Sequence, residues 1–470
     1  MKYHLAVDIG ASSGRHILGH VEQGRIVLEE VYRFENGPKK RGGRLCWDFD
    51  ALAREVVNGL KACAKLGKVP ATLGVDTWGV DFALVDREGR VLGDTVAYRD
   101  SRTQGMDALV EELIPAQELY RRTGIQKQSF NTIYQLMAVK RQSPELLEQA
   151  HRLLLVPDYL HYILTGVMSN EYTEASTSGL VSAAAKDWDR ELLRLLGFPQ
   201  KLFGTLSLPG TALGGLCPAL REELGFDCQV ILPASHDTGS AFLAVPAGEG
   251  DSVTLSSGTW SLLGVELEQP VTTPESRAAN FTNEGGYQYR YRYLKNIMGL
   301  WMIQNLRREM AENGQLPGFG ELSRLAREAA DFPGRVDVDD PSFLAPESMS
   351  AAVRAYCERT GQPVPQSRGE LLSCVYHSLA QCYAQSVRQL ERLTGRSFQA
   401  VHIVGGGSQD AYLNQLTASA TGLPVYAGPT EGTALGNLLV QMIAQGEFAS
   451  LQEARDAIRA SFAVKEVLPC

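Results

Sequence analysis

The alternation of apolar and polar residues predicts a β-meander at the start of the chain. Leu5, Val7 and Ile9 alternate with smaller or polar residues, and a turn of small residues follows at 10–14. A second run covers 15–21. The turn Glu22-Gln23-Gly24 then leads into a third run at 25–34. We therefore expect three short consecutive strands joined by tight turns.

Helical spacing of apolar residues appears next. A helix is predicted to begin near Asp50, with one face made of Leu52, Val56, Val57, Leu60 and Cys63. A short strand is expected at 72–75. The middle of the chain, about 105–230, is predicted to be mostly helical with Pro and Gly breaks. Apolar positions three and four residues apart predict a long helix over 370–393.

A second strand–turn–strand pattern is predicted from Asp251 to Glu266. It repeats the layout of residues 5–21 with hardly any of the same letters, which indicates an internal repeat of architecture. A strand at 400–404 ends in three glycines, and helices are expected at 410–421 and 432–444. The simplest organisation is α/β, with two domains of similar plan joined near 240–250.

Composition narrows the class of protein. The 470 residues predict two to four domains, and 44% hydrophobic with 21% charged residues is typical of a globular chain. The net charge is −9 and no long Lys/Arg block occurs, so we expect neither nucleic-acid nor membrane-surface binding. No run of 18 apolar residues exists, and Asp8 interrupts the place of a signal-peptide core. The eight cysteines form no CxxC pair, so we expect reduced thiols in the cytoplasm.

Two turns of small residues, at 8–15 and 256–259, are candidate phosphate sites, because glycine and serine let backbone N–H groups approach an anion. The three glycines at 405–407 would allow a ligand to approach the backbone closely. Asp8 could hold a metal-bound water. Ordinary turns remain the alternative in each case. No Walker A sequence occurs, and Asp410 occupies the last position of a dinucleotide fingerprint after the glycine triplet.

Asp237 is the candidate acid–base residue. It lies between serine and glycine residues in 234–240, after an apolar run, and a carboxylate there can accept the proton of an attacking hydroxyl. A helix N-cap is the alternative. The polar and aromatic residues of 76–82 and 98–102 suit a sugar, with structural ion pairs as the alternative. No His or Cys has the spacing of a zinc site.

In this order the segments resemble the FGGY carbohydrate kinase family, and the resemblance covers essentially the whole chain. It implies an α/β fold of two similar ribonuclease H-like, actin-like ATPase domains with an active-site cleft between them. The domains would be 1–243, with the sugar side and first phosphate turn, and 244–470, with the ATP and adenosine side. Two residues depart from most relatives: Ala11, where Thr is usual, and the bulky Trp260.

The resemblance also implies a role for each matching residue. Asp237 would be the general base, and Asp8 would position Mg²⁺, mainly through water. The sugar would contact Gly79, His236, Asp237, Thr238 and Asn296. ATP would contact Ala11, Ser12, Ser13, Gly14, Arg15, Thr259, Gln304, and one of the glycines Gly405, Gly406 and Gly407.

The reaction that the resemblance implies is transfer of the ATP γ-phosphoryl group to the 1-hydroxyl of L-rhamnulose. Kinases of L-fuculose or D-xylulose are alternatives within the family. A non-catalytic ATP-gated binding module is the alternative from another class, and a nicotinamide oxidoreductase is disfavoured by the failed fingerprint. We expect a monomer or a weak homo-oligomer.

Overall fold

The computed structural model describes residues 1–246 and 252–470, which form two compact units. Unit 1 comprises Met1–Pro246, Glu266–Tyr293 and Thr433–Ser461. Unit 2 comprises the described residues of Ala247–Val265, with Leu294–Gly432 and Phe462–Cys470. Asp251 and part of the predicted junction at 240–250 lie outside the described residues. The assignment of domains to 1–243 and 244–470 stays a prediction.

Residues 1–246 contain the elements up to α10. The strands are β1 (Tyr3–Ile9), β2 (Ser13–Glu22), β3 (Arg25–Glu35), β4 (Lys39–Arg41), β5 (Arg44–Cys46), β6 (Pro70–Thr77), β7 (Phe82–Val85), β8 (Val91–Leu92), β9 (Arg152–Leu155), β10 (Asn170–Glu171), β11 (Val181–Ser182), β12 (Asp187–Trp188), β13 (Leu206–Ser207), β14 (Ala212–Gly214) and β15 (Gln229–Ile231). The helices are α1 (Phe49–Lys65), α2 (Met106–Leu113), α3 (Ala116–Thr123), α4 (Thr132–Gln142), α5 (Pro144–Gln149), α6 (Val156–Thr165), α7 (Tyr172–Ala175), α8 (Arg190–Leu195), α9 (Pro218–Leu224) and α10 (Asp237–Leu243).

The main sheet of unit 1 has the strand order β14-β15-β6-β1-β2-β3. The meander β1-β2-β3 is antiparallel throughout, and β1 is parallel to β6. The predicted meander and the strand at 72–75 are confirmed. Helix α1 is confirmed as well: Asp48 caps it by accepting from the Ala51 N–H at 2.9 Å, and its apolar face joins the buried core of β1 and β6.

The middle segment is only partly as predicted. Helices α2 to α9 are present, but β9 to β15 lie among them, and β9 pairs with β7 in a small antiparallel sheet. Each of these strands has only two to four residues. So few residues give too short an alternation to be recognised in the sequence.

The rest of the chain contains the elements from β16 onward. The strands are β16 (Ser252–Ser257), β17 (Ser261–Leu267), β18 (Thr282–Gly285), β19 (Tyr291–Ile297), β20 (Ala400–Val404), β21 (Val425–Ala427) and β22 (Lys465–Val467). The helices are α11 (Pro274–Ala278), α12 (Trp301–Glu309), α13 (Phe319–Glu328), α14 (Met349–Arg359), α15 (Arg368–Thr394), α16 (Ala411–Thr421), α17 (Gly432–Ala444) and α18 (Leu451–Ser461).

The sheet of unit 2 repeats the plan of unit 1. Strand β16 is antiparallel to β17 and parallel to β20, as β1 is antiparallel to β2 and parallel to β6. The predicted repeat of architecture is therefore confirmed. The strand at 400–404 and the helices predicted at 370–393, 410–421 and 432–444 correspond to β20, α15, α16 and α17. Strands β18 and β19 were not predicted.

All eight cysteines are free thiols, as expected. Across residues 1–246 and 252–470, the helices are all too short or too polar to cross a membrane.

Candidate active site

Three carboxylates lie at the carboxyl ends of neighbouring extended segments in unit 1. Asp8 on β1 and Asp76 on β6 are directly opposite each other in the parallel pair. The chain at Ser235 and His236 continues the sheet beside β6, because the Thr77 N–H donates to the Ser235 carbonyl at 2.9 Å. Asp237 follows as the first residue of α10. Burial, followed by the negative charge of Asp8 and then that of Asp237, raises the pKa of Asp76 well above its ordinary value.

Asp237 has one engaged oxygen and one that remains available. Its Oδ1 accepts from the Thr238 N–H at 2.5 Å and from the Thr238 hydroxyl at 3.0 Å. Among the described residues, no hydrogen bond reaches its Oδ2, and the side chain is 32% exposed. Burial, with the charge of Asp8, raises the pKa of Asp237, while His236 opposes that rise. A carboxylate of raised pKa with a free oxygen is suited to accepting a proton.

Asp237 is not the N-cap of its helix, so this alternative is wrong. His236 occupies the N-cap position and Asp237 the first helical position. The loop at Gly79 lies beside His236. A Cβ added at Gly79 would lie 3.2 Å from Thr177 Oγ1 and 3.3 Å from His236 Nε2, so glycine lets the backbone pass close to the His236 ring.

The loop after Gly79 is held firmly by α4. Val80 is buried and has φ of 70°, a conformation that costs a β-branched residue energy. Its carbonyl accepts from the Thr132 hydroxyl at 2.7 Å and from Gln135 Nε2 at 3.3 Å. Buried Asp81 accepts from the indoles of Trp47 and Trp78. These contacts hold the Gly79 loop in place on the sugar side of the predicted site.

Other polar residues of the predicted sugar side form hydrogen bonds with groups of the protein itself. Asp100 accepts from the N–H groups of Leu45 and Arg102. The Arg102 guanidinium donates to Gln135 Oε1 at 2.6 Å. The observed contacts of Asp100 and Arg102 are thus hydrogen bonds within unit 1, not the ion pairs that the alternative predicts.

A buried chain of hydrogen bonds holds the Asp76 side chain in place. Asn437 Nδ2 donates to Asp76 Oδ2 at 2.6 Å, and Asn437 Oδ1 accepts from Gln441 Nε2 at 2.6 Å. Gln441 Oε1 in turn accepts from the Thr72 hydroxyl, which contacts His4 Nδ1. Every link lies in unit 1. Asn437 is 361 residues from Asp76 in sequence, so no local signal could have indicated it.

The first predicted phosphate turn is a tight hairpin between β1 and β2. The Gly10 N–H donates to the Ser13 carbonyl at 2.9 Å, and Ser12 is exposed. Arg15 pairs with Asp8, with Nη2 and Nε at 2.9 and 3.1 Å from Oδ2. Packing alone requires glycine at position 14, since a Cβ at Gly14 would lie 2.2 Å from the Phe34 ring. Ala11 is half-buried in the same turn.

The remaining predicted ATP residues lie in unit 2. Thr259 sits between β16 and β17, and its carbonyl accepts from the Trp301 N–H, at the start of the helix that carries Gln304. A Cβ at Gly405 would lie 2.9 Å from the Ser257 carbonyl oxygen, and one at Gly407 would lie 2.0 Å from Ser257 Oγ. A Cβ at Gly406 would meet nothing within 4 Å.

The predicted residues are therefore divided between the units. Unit 1 carries Asp8, Ala11, Ser12, Ser13, Gly14, Arg15, Gly79, His236, Asp237 and Thr238, and unit 2 carries Thr259, Asn296, Gln304, Gly405 and Gly406. The residues missed by sequence reasoning are Asn437 and a buried pair on β18 and β19, Glu284 and Arg292, which contacts His236.

The oxygen donors beside Asp8 suit a Mg²⁺ ion that keeps much of its water. Asp76 Oδ1 is buried and has no hydrogen-bond partner among the described residues. Mg²⁺ is commonly held by one or two carboxylates, with water and substrate phosphate completing its shell. Over residues 1–246 and 252–470, no group of three His, Cys, Asp or Glu is placed to hold a metal ion.

Comparison with known proteins defines the class to which this fold and site belong. A gluconate kinase and a xylulose kinase from Lactobacillus acidophilus superpose with TM-scores of 0.80 and 0.79, at 16% and 18% identity, over 100% of this chain and 94% of each of theirs. The model of the FGGY N-terminal domain matches residues 3–244, and that of the C-terminal domain matches 253–445. The chain belongs to the FGGY family of carbohydrate kinases, and the predicted actin-like α/β class is confirmed.

Within that family, the chain is similar to proteins named rhamnulokinase. The relative from Oceanobacillus iheyensis is 48% identical, over 98% of this chain and 97% of its own length. Those from Halalkalibacterium halodurans and Bacillus subtilis are 47% and 40% identical over 99% of this chain, and over 98% and 95% of their own lengths.

Proposed function

We propose that this enzyme transfers the γ-phosphoryl group of ATP to the 1-hydroxyl of L-rhamnulose, giving L-rhamnulose 1-phosphate and ADP. The similarity to rhamnulokinases over almost the whole chain carries the choice of sugar. The arrangement at Asp237 supports the chemistry, because no hydrogen bond from the described residues reaches its Oδ2 and the side chain is partly exposed.

In this proposal Asp237 Oδ2 takes the proton of the attacking hydroxyl. Thr238 fixes the carboxylate through Oδ1, so the second oxygen points consistently. The raised pKa of Asp237 makes it a better proton acceptor. The sugar would contact Gly79, His236, Thr238 and Asn296.

The phosphates of ATP would contact the turn from Ala11 to Arg15, together with Thr259 and Gln304. We assign the glycine contact to Gly406, because Gly405 and Gly407 are already packed on Ser257. Asp8 would hold Mg²⁺ through water, with Asp76 beside it. When bound, that ion would neutralise negative charge on the transferring phosphoryl group. The predicted division at 243/244, a cytoplasmic location and a monomer or weak homo-oligomer belong to the same proposal.

The test is ADP release with Mg-ATP and L-rhamnulose, L-fuculose, D-xylulose or glycerol, beside a sample without sugar. We expect release with L-rhamnulose to exceed that with the others. Preference for another sugar would overturn the substrate but keep the kinase. Release independent of sugar, or none from folded protein, would contradict the reaction.

Asp237→Asn tests the base directly. The amide keeps the shape of the side chain but cannot take the proton, so we expect kcat to fall about 10²-fold or more. Sugar binding, measured by calorimetry, should be retained. Near-normal turnover would remove Asp237 from this role.

A further inference from the structure

Arg292 is a fully buried guanidinium that faces the predicted sugar side of unit 1. It lies on β19 with no exposed surface, while Glu284 on β18 is 5% exposed. Arg292 Nε donates to the Gly285 carbonyl at 2.9 Å, and Nη1 lies 3.0 Å from Glu284 Oε2. A buried charge needs such partners, and together they leave the guanidinium little freedom to rotate.

The third contact of Arg292 determines which ring nitrogen of His236 carries the proton. Arg292 Nη2 lies 3.1 Å from His236 Nδ1, in hydrogen-bond geometry. A guanidinium has only donors, so Nδ1 must be the acceptor. The single proton of the neutral ring is then on Nε2.

We propose that Arg292, held by Glu284, is a positioning residue that fixes His236 as the Nε2–H tautomer, so that the ring donates a hydrogen bond to an oxygen of the sugar. This inference rests on the proposed function for the identity of the sugar. The position of Nε2 supports it: this atom lies beside the backbone of Gly79 and 3.5 Å from Asp237 Oδ1, between two residues of the predicted sugar site. That distance is too long for a strong hydrogen bond, so the proton stays available to a ligand.

The tautomer also separates the roles of two adjacent residues. A ring that donates from Nε2 cannot take the hydroxyl proton there, so Asp237 is left as the base. A ketose offers carbonyl and hydroxyl oxygens as acceptors for the Nε2–H. His236 would therefore orient the sugar while Asp237 receives its proton.

Because of Glu284, the Nε2–H tautomer of His236 depends on the presence of Arg292. Its Oε2 lies 3.3 Å from His236 Nδ1, so this carboxylate would attract a proton onto Nδ1 if the guanidinium were absent. Asp237 faces the ring from α10. Glu174 is a further buried carboxyl near this cluster, and burial and then the charge of Asp158 raise its pKa well above the ordinary value.

The decisive experiment is nitrogen NMR of protein labelled with ¹⁵N-histidine, without sugar or ATP. His236→Gln identifies the signals by removing them. We expect a protonated Nε2 and an unprotonated Nδ1 in the wild type, and a proton on Nδ1 in Arg292→Met. A wild-type ring protonated on Nδ1 would overturn the proposal, as would an unchanged tautomer in folded Arg292→Met.

Kinetics supply the second readout. A sugar oxygen that meets an acceptor at Nε2 loses its hydrogen bond, so Arg292→Met should raise KM for the sugar about 10-fold or more and leave KM for ATP unchanged. Arg292→Lys, which keeps the charge and one donor group, should restore part of the affinity. Equal effects on both substrates, or no effect, would contradict the assignment.

Arg290→Met is the matched control. Arg290 is on the same hairpin, its side chain is 36% exposed, and it lies 4.0 Å from Glu268. We expect its loss to leave the tautomer and both KM values unchanged. If Arg292→Met does not fold, the wild-type tautomer still decides the proposal. Because the NMR measurement contains no sugar, its result does not depend on whether L-rhamnulose is the substrate.

Discussion

Two histidines in unit 1 are buried without the partners that a protonated ring needs. His161 Nε2 accepts from the Val75 N–H at 3.0 Å, and His16 Nε2 lies 3.2 Å from the Val56 carbonyl. The Nδ1 atom of each ring is buried and has no hydrogen-bond partner in the part of the chain that the structure describes. Burial lowers the pKa of His16 to about 4 and that of His161 to about 3. Both rings are therefore neutral in the folded protein at pH 7.

These histidines predict a loss of stability in mild acid. Between pH 6.5 and pH 4 the unfolded chain binds protons that the folded chain excludes, so the free energy of unfolding falls as the pH falls. Each ring contributes up to about 3 kcal/mol by pH 4. His161→Gln should show a shallower decline over this range, measured as urea midpoints at several pH values. Parallel declines in the two proteins would contradict this explanation.

The strand-to-helix turn after β20 shows that adjacent glycines serve different purposes. Gly405 has φ of 86°, where glycine is favoured, and its backbone packs on the Ser257 carbonyl. Gly407 packs on the Ser257 side chain. Gly406 is exposed and open above its Cα. The first two therefore maintain the fold, and the third leaves its backbone accessible to a ligand.

Two alanine substitutions separate these purposes. Gly406→Ala should leave the melting temperature unchanged and raise KM for ATP about 10-fold, since a methyl group would occupy the space proposed for the nucleotide. Gly405→Ala should lower stability by about 1–3 kcal/mol through backbone strain and the close Ser257 carbonyl. Thermal melts and ATP titrations measure both. An unchanged KM for ATP in Gly406→Ala would contradict the assignment of this glycine.

The elements that the sequence predicted well are those set by local pattern. The β1-β2-β3 meander, α15 and α17 follow from periodicity and turn residues within one segment. The short pattern after β15 also predicts Asp237 as the candidate base, and this role stays a prediction. The residues that contact the site from distant parts of the chain were not predicted in this way. Arg292 is 56 residues from His236, and Asn437 is 361 residues from Asp76. Only the folded topology brings such pairs together, and a lone Arg in an unpredicted strand gives no sign of burial.

At the scale of the molecule, unit 1 is completed by a distant segment of the chain. Residues 433–461 contribute Asn437 and Gln441, both fully buried, to the hydrogen bonds behind Asp76. Arg455 donates to the carbonyls of Phe242 and Leu243, at the end of α10. Gly19 on β2 is close to the Leu438 side chain: an added Cβ would lie 2.7 Å from it. The carboxylate end of the sheet thus depends on α17 and α18.

This dependence predicts how fragments behave. A fragment of residues 1–293 lacks α17 and α18, so Asp76 loses Asn437 and an apolar face of the sheet is left uncovered. We expect it to unfold at low urea with little cooperativity. A peptide of residues 433–461 added in trans should raise the midpoint, because it binds only the folded fragment. The same peptide with Asn437→Ala and Gln441→Ala should raise it less, since it restores the apolar contacts without the hydrogen bonds. If the fragment unfolds cooperatively and neither peptide changes its urea midpoint, residues 1–293 fold without this segment.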